Sequence, residues 1–231
     1  ASENKYIGVK TGLLDQFSSI FGKKDSLILC DFRENKVLRN VSLPQGYSII
    51  VVNSMIKHDL ADSDYNTRRE SCERAAAEIA KFAKNVKTLR DVDSKLLEEF
   101  RGKLHIVDYR RARHIVEENE RVLSAVSCLD KGDILSLGKL LFDSHESSRI
   151  NFENSCPELD YLIEIAHSLP GCIGARLSGG GFGGISIHLV KDDEAGKYAR
   201  RMQAAYLLKT GIKTDTLLCR AGGGAECAEK K

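Results

Sequence analysis

The stretch "RLSGGGFGG", residues 176–184, places five glycines in nine positions, and the segments on either side, "CIGARLS" and "ISIHLV", alternate apolar with polar or small residues. Two runs of period two joined by a short loop read as an antiparallel pair. Glycine loses more backbone freedom on folding than any other residue, so such a cluster is kept where a positive φ or a close approach requires it. Two uses fit. The glycines form a wide hairpin connection and nothing more, or their amides and missing Cβ atoms cradle a phosphate. Gly179, Gly181 and Gly184 fit G-x-G-x-x-G, but a dinucleotide fingerprint needs a helix after the loop and an acid about 20 residues on. Here a strand follows, and no Lys-Ser or Lys-Thr closes the loop, so Rossmann and Walker readings are both excluded.

The bulk of the chain narrows the class. Its 231 residues can bury a substantial core, and 42% hydrophobic residues, 29% charged residues and three prolines describe an ordinary globular protein. A net charge of +2 gives no reason to expect nucleic acid or membrane. The basic groups "YRRARH" and "ARRM" sit among glutamates and read as solvated helix faces. Seven dispersed cysteines without C-x-x-C suggest reduced thiols, and the histidines show no ligand spacing for a metal. No apolar run approaches about 18 residues and no leader is apparent, so the expected location is cytoplasmic.

Periodicity predicts a helix in "TGLLDQFSSIFG", with Leu13, Leu14, Phe17, Ile20 and Phe21 on one face, Gly22 as its stop and Asp15 in its first turn. Strands follow in "SLILCD", "KVLRNVS" and "YSIIVVN", the last expected to be fully buried. Helices are predicted over 63–84, with Cys72, Ala76, Ile79, Phe82, Ala83 and Val86 as the stripe, and over 109–130, with Ala112, Ile115, Val116, Val122, Leu123, Val126 and Leu129. Two further helices are predicted in "GDILSLGKLLFDSH" and "CPELDYLIEIAHSL", the second capped by Ser155 or Cys156. After the glycine hairpin come the helix "EAGKYARRMQAAYLLKTG", the strand "TDTLLCR" and a tail, "AGGGAECAEKK", expected to fray. The order indicates an α+β layer with helices on one face of an antiparallel sheet.

Three separated stretches, "GLLDQFSSIFG", "VVNSMIKHDLADSDYNTRRESCERAA" and "GARLSGGGFGG", together resemble the galactokinases of the GHMP kinase superfamily. "RARHIVEENERV", "SHESSRINFENSCPELDYL" and "TGIKTDTLLCRAGGGA" extend the resemblance over essentially the whole chain. Nothing in it resembles the family's "GEHTDY" sugar motif or its "GLSSSA" phosphate loop. The resemblance therefore implies a longer protein, with residues 1–43 the tail of a first domain and 44–231 the ferredoxin-like C-terminal domain.

The same resemblance implies ATP-dependent phosphorylation of galactose at the anomeric oxygen. It makes Asp15, in "GLLDQ" where the family writes "GIMDQ", the catalytic aspartate that takes or assists the proton of the attacking hydroxyl. A carboxylate in a first helical turn is favoured by the dipole, which agrees with that role. Gly12 and Asp15 would line the sugar, Tyr65 in "SDYNTRR" would cover it, and Ser178, Gly179, Gly180 and Gly181 would lie against the nucleotide. Arg68 and Arg69 are expected in surface or interdomain salt bridges. ATP and Mg2+ are implied, with the main ligands outside this chain, which alone is expected to be inactive. A complementary N-terminal half, or self-association through an exposed face, is the implied partner. The family more often has acids where Ile150 and Asn151 stand, so ion pairing there is in doubt. A kinase for a related sugar such as N-acetylgalactosamine, and a non-catalytic sensor of sugar and nucleotide, are the alternatives.

Overall fold

The segment Tyr47–Asn53 is rich in β-branched residues, with Ser48, Ile50 and Val52 on one face and Tyr47, Ile49, Val51 and Asn53 on the other. A computed structural model describes residues 12–57 and 64–226 of the chain, with the side chains of Asp64 and Tyr65 outside that description. In it this segment, β3, pairs antiparallel with two neighbours. The elements run α1 (Leu14–Phe21), β1 (Ser26–Asp31), β2 (Lys36–Ser42), β3 (Tyr47–Asn53), α2 (Asp64–Ala80), α3 (Ser94–Glu99), α4 (Ile106–Lys131), α5 (Ile134–Ser147), α6 (Pro157–Ser168), β4 (Cys172–Ser178), β5 (Ile185–Lys191), α7 (Ala195–Thr210) and β6 (Thr216–Cys219). β1 and β2 form a two-stranded sheet of their own, and the other four strands form an antiparallel sheet in the order β4-β5-β3-β6. Val51 faces Ile187 on one side and Leu217 on the other.

Helices α6 and α7 cover one face of the larger sheet. Ile50, Val52, Ala175, Leu177 and Val190 meet Leu159, Leu162, Tyr198, Met202 and Tyr206 there, all nearly inaccessible. Within this core His188 is satisfied on both ring nitrogens, by Ser186 Oγ at 2.8 Å and Tyr198 Oη at 2.7 Å, and burial pushes its pKa down to about 3. The reverse face carries a smaller cluster of Leu189, Ile134 and Leu137 with Tyr47, Leu129 and Ile173 around it. That partial cover is why β3 alternates buried with half-buried instead of being buried throughout, as its composition suggested.

Helix α5 packs closely on β4. Gly138 lies so close that a Cβ on it would overlap the Ile173 carbonyl, and one on Gly174 would overlap Gly138. Helix α4 is shared: its first half packs on α2 through Ala112 and Val116, while Ala125 and Cys128 turn to α5. Val122 and Leu123, expected in one continuous stripe, are left exposed between the two. α2 ends at Ala80, so Phe82 leaves its stripe and is exposed, with the Lys103 ammonium over its ring at 5.0 Å. Cys156 occupies the N-cap position of α6 without a side-chain cap, and Ser155 Oγ donates instead to Asp160 at 2.6 Å.

At the start of the described chain, α1 buries only Phe17, and Leu14, Ile20 and Phe21 are 59%, 56% and 46% exposed, because the hairpin covers one side of a broad apolar face. One expectation fails at the other end. The tail does not fray through residue 226, since the Ala221 carbonyl accepts from Asp25 N–H at 2.9 Å and Ala225 N–H donates to Ser19 at 2.7 Å. Residues 227–231 lie outside the described residues. Among the described residues no helix is long and apolar enough to cross a membrane.

The α5–β4 contact yields a stability prediction. Gly138→Ala is expected to lower the unfolding free energy in urea by about 1–3 kcal/mol, the usual cost of overpacking. Gly102→Ala, where a Cβ would meet open space, should change it by less than about 0.5 kcal/mol.

Candidate functional site

The glycine loop is a run of left-handed backbone. Gly179, Gly181, Phe182, Gly183 and Gly184 all have positive φ, at 83°, 85°, 59°, 133° and 78°. A Cβ on Gly181 would overlap the Asn154 carbonyl, and one on Gly183 would come within 2.7 Å of the Ile56 carbonyl. The loop is thus pressed between two other backbone segments. Phe182 N–H donates to Asn154 O at 2.7 Å and Gly184 N–H to Ile56 O at 2.9 Å. Asn154 Nδ2 donates to Gly180 O at 3.1 Å, while Ser54 N–H and Oγ both donate to Gly184 O at 2.8 Å. Gly179 and Gly184, by contrast, have nothing within 4 Å of a would-be Cβ.

The Asn154 carbonyl is itself fixed by an irregular turn. After α5 the backbone makes a π turn over Ser148–Phe152 and leaves it through Glu153, left-handed at φ 54°. A non-glycine residue there costs on the order of 1 kcal/mol, so neighbouring contacts must hold it. Arg68 does so from α2, donating from Nε to Phe152 O at 2.9 Å and from Nη2 to Glu153 O at 2.8 Å. Its guanidinium also lies over the Phe182 ring at 5.4 Å, so one side chain touches both turn and loop. Arg111, only 3% exposed, donates to the Asn151 carbonyl and to the Glu153 carboxylate, and Arg110 pairs with the same carboxylate at 2.8 Å. The Arg111 hydrogen bond, chiefly, holds the Glu153 carboxyl below its ordinary pKa.

Arg68 binds backbone carbonyls, and Arg69 forms the expected surface pair with Glu73 at 2.9 Å. The contacts correct two other expectations. The run "YRRARH" is not a solvated face throughout, because Arg111 and His114 point inward beneath the turn. Ion pairing near the turn survives without acids at positions 150 and 151, since Glu153 supplies the carboxylate.

Of the predicted site residues, Ser178, Gly179, Gly180 and Gly181 lie on this loop, and Ser178 closes β4. Tyr65 belongs to the first turn of α2, one turn before Arg68, with its side chain outside the described residues. Asp15 and Gly12 sit at the start of α1, where Asp15 is exposed in the first turn. Arg68, Arg111, Glu153 and Asn154 went unread as a unit. The signal for them was weak: two inward arginines in helices, and a Glu-Asn pair after a helix.

As a nucleotide cradle the loop is partly committed, because two of its amides already serve Asn154 and Ile56. The open backbone at Gly179 is where a phosphate oxygen could approach. For a divalent cation the fit is poor, since no group of three His, Cys, Asp or Glu among the described residues could hold one.

Three comparisons bear on the family and the fold. Residues 125–207 match the family described as GHMP kinases C terminal. A galactokinase of Actinobacillus pleuropneumoniae is 42% identical over 227 residues, covering 96% of this chain and 58% of the relative, and one of Chloroflexus aggregans is 37% identical over 226 residues, covering 98% and 58%. The crystal structure of Lactococcus lactis galactokinase complexed with galactose superposes with a TM-score of 0.89 at 30% identity, over 96% of this chain and 57% of that one. The chain thus spans a little over half the length of the relatives it matches.

His114 gives the turn a pH signature. It stacks on Phe152 at 4.7 Å, its Nδ1 lies 3.1 Å from Ser147 Oγ, and burial pushes its pKa down to about 4. The folded state keeps this ring neutral, while the unfolded chain takes up the proton below about pH 6.5. Stability is therefore full above that pH and falls as pH drops from 6.5 toward 4, with a slope of at most about 1.4 kcal/mol per pH unit for this ring. Urea unfolding across pH 7.5–4.5 should show the loss, and His114→Gln should reduce the slope by His114's share while leaving that of His188, whose pKa burial also pushes down.

Proposed function

We propose that this chain, which carries a GHMP kinase C-terminal domain, acts as the larger part of a galactokinase that transfers the γ-phosphoryl of ATP to the anomeric oxygen of galactose. The observation that supports this most is the match along nearly the whole chain to galactokinases, among them one whose crystal structure holds galactose. In this reading residues 1–43 belong to the first domain and 44–231 to the C-terminal domain. The separate β1–β2 sheet supports that division, because it shares no strand pairing with the four-stranded sheet.

Asp15 accepts the proton of the attacking hydroxyl, a role that requires a carboxylate within hydrogen-bond reach of the sugar oxygen. Gly12 lets backbone approach the sugar, and Tyr65 covers an apolar sugar face and hydrogen-bonds a hydroxyl. Ser178 to Gly181 lie beside the phosphates, held by Asn154 and Arg68 rather than assembled by the ligand. ATP supplies the phosphoryl group, and Mg2+ ligands in this reading come from outside the described residues. Phosphoryl transfer depends on positioning and charge neutralisation, so the chain alone is expected to be inactive. The exposed Leu14, Ile20 and Phe21 of α1 are the surface on which the complementary part would seat.

The test is galactose-dependent ADP release by the chain mixed with the N-terminal portion of a related galactokinase. Turnover in the mixture, reduced about 10²–10⁴-fold by Asp15→Ala, is the expected result. Galactose binding with no turnover in any mixture would contradict the kinase reading and favour a sensor.

A further inference from the structure

Helix α1 carries Asp15 on slender support. Phe17 is its one buried side chain, packed on Phe21 at 5.2 Å and Phe32 at 5.3 Å, and its first turn has no side-chain cap. Its C-terminus is weaker still. Gly22 leaves the helix in extended conformation, at φ −54° and ψ 141°, so no left-handed turn folds back on the last carbonyls. Those carbonyls are met from elsewhere. Ala225 N–H donates to Ser19 O and Gly224 N–H to Gly22 O, both at 2.7 Å, while Asp25 N–H donates to Ala221 O at 2.9 Å.

We propose that residues 221–225 are a positioning strap that fixes α1, and with it the Asp15 carboxylate, to the four-stranded sheet. The strap is rooted where β6 pairs with β3, and Asn53 N–H donates to Asp215 O at 3.0 Å just before that strand. Beyond Cys219 the chain meets the end of α1 through Gly224 and Ala225. Its glycines are not equivalent. A Cβ on Gly222 or Gly223 would meet nothing within 4 Å, but one on Gly224 would stand 2.5 Å from Ile20 O and 3.1 Å from Gly22 N. The absence of a side chain at Gly224 is therefore what lets strap and helix end approach. Gly22 is tight against its own helix instead, with a would-be Cβ 2.7 Å from Ser18 O and in ordinary contact, 3.5 Å, with Gly224 N. Gly224 acts on the site only through α1, and the consequence for turnover rests on the galactokinase reading above.

Gly224→Ala separates the strap from general effects on the tail, with Gly222→Ala and Gly223→Ala as matched controls. In the chain itself, amide hydrogen exchange at Asp25 and Ala225, whose N–H groups make strap hydrogen bonds, should speed up at least about 10-fold in Gly224→Ala and under about 3-fold in the controls. Unchanged exchange in Gly224→Ala, or equal acceleration in all three variants, would overturn the strap whatever the activity. In the complemented kinase Gly224→Ala should lower kcat about 10-fold with the KM for ATP unchanged, and should add nothing in an Asp15→Ala background. Faster exchange with an unchanged kcat would overturn the positioning of Asp15. Absence of turnover in the unmodified mixture would count against the galactokinase reading, and the exchange result would still decide the strap.

Discussion

The carbonyl oxygen of Asn154 sits where only a glycine at position 181 can pass, and this close approach of two backbones governs the rest of the site. It fixes the loop 178–184 through the Phe182 amide, and the loop in turn fixes Ser54 and Ile56 at the end of β3. The contact would be worthless if Asn154 could drift. Two arginines prevent that, Arg68 from α2 and Arg111 from α4, both spending guanidinium hydrogen bonds on the π turn. A nearly inaccessible arginine is costly unless paired, so Arg111 and Glu153 depend on each other as much as the turn depends on them.

The molecule joins two such fixed points. One is the loop, held by side chains of the helical layer. The other is α1, held by backbone from the far end of the chain. In the proposed reaction the first faces phosphate and the second faces the sugar hydroxyl, and phosphoryl transfer rewards that kind of fixed separation. Glycine serves both, though not as a flexible residue. In each place it removes a Cβ so that an otherwise forbidden backbone contact can form.

Much of the fold was legible because burial follows period. The strands at 26–31, 36–42 and 47–53 and the hairpin 172–191 lie where alternation and its breaks put them. The α3 helix and the 3-10 turn at Leu89–Asp91 were not read, since both are too short for a period and rest on local caps from Thr88 and Asp93. The glycine loop was read from its composition and flanking alternation, whereas the proposed roles of Asp15 and Tyr65 came from resemblance, not from spacing. The arginine-held turn was unreadable for a physical reason: a basic run such as "YRRARH" looks the same whether its guanidinium groups meet water or buried carbonyls. Left-handed Glu153 likewise gives no sign in sequence, because its strain is relieved by residues 42 and 85 positions away. The apolar face of α1 was visible, but periodicity marks a face without saying what covers it.

Amide hydrogen exchange at Phe182, Gly184 and Gly179, in the chain without ligand, tests the central claim most directly. A loop fixed in advance by Asn154 and Ile56 should protect Phe182 and Gly184 to the level of the core strands, while Gly179 exchanges at least about 10² times faster. Fast exchange at all three would show a loop that the π turn does not hold, and would contradict the account.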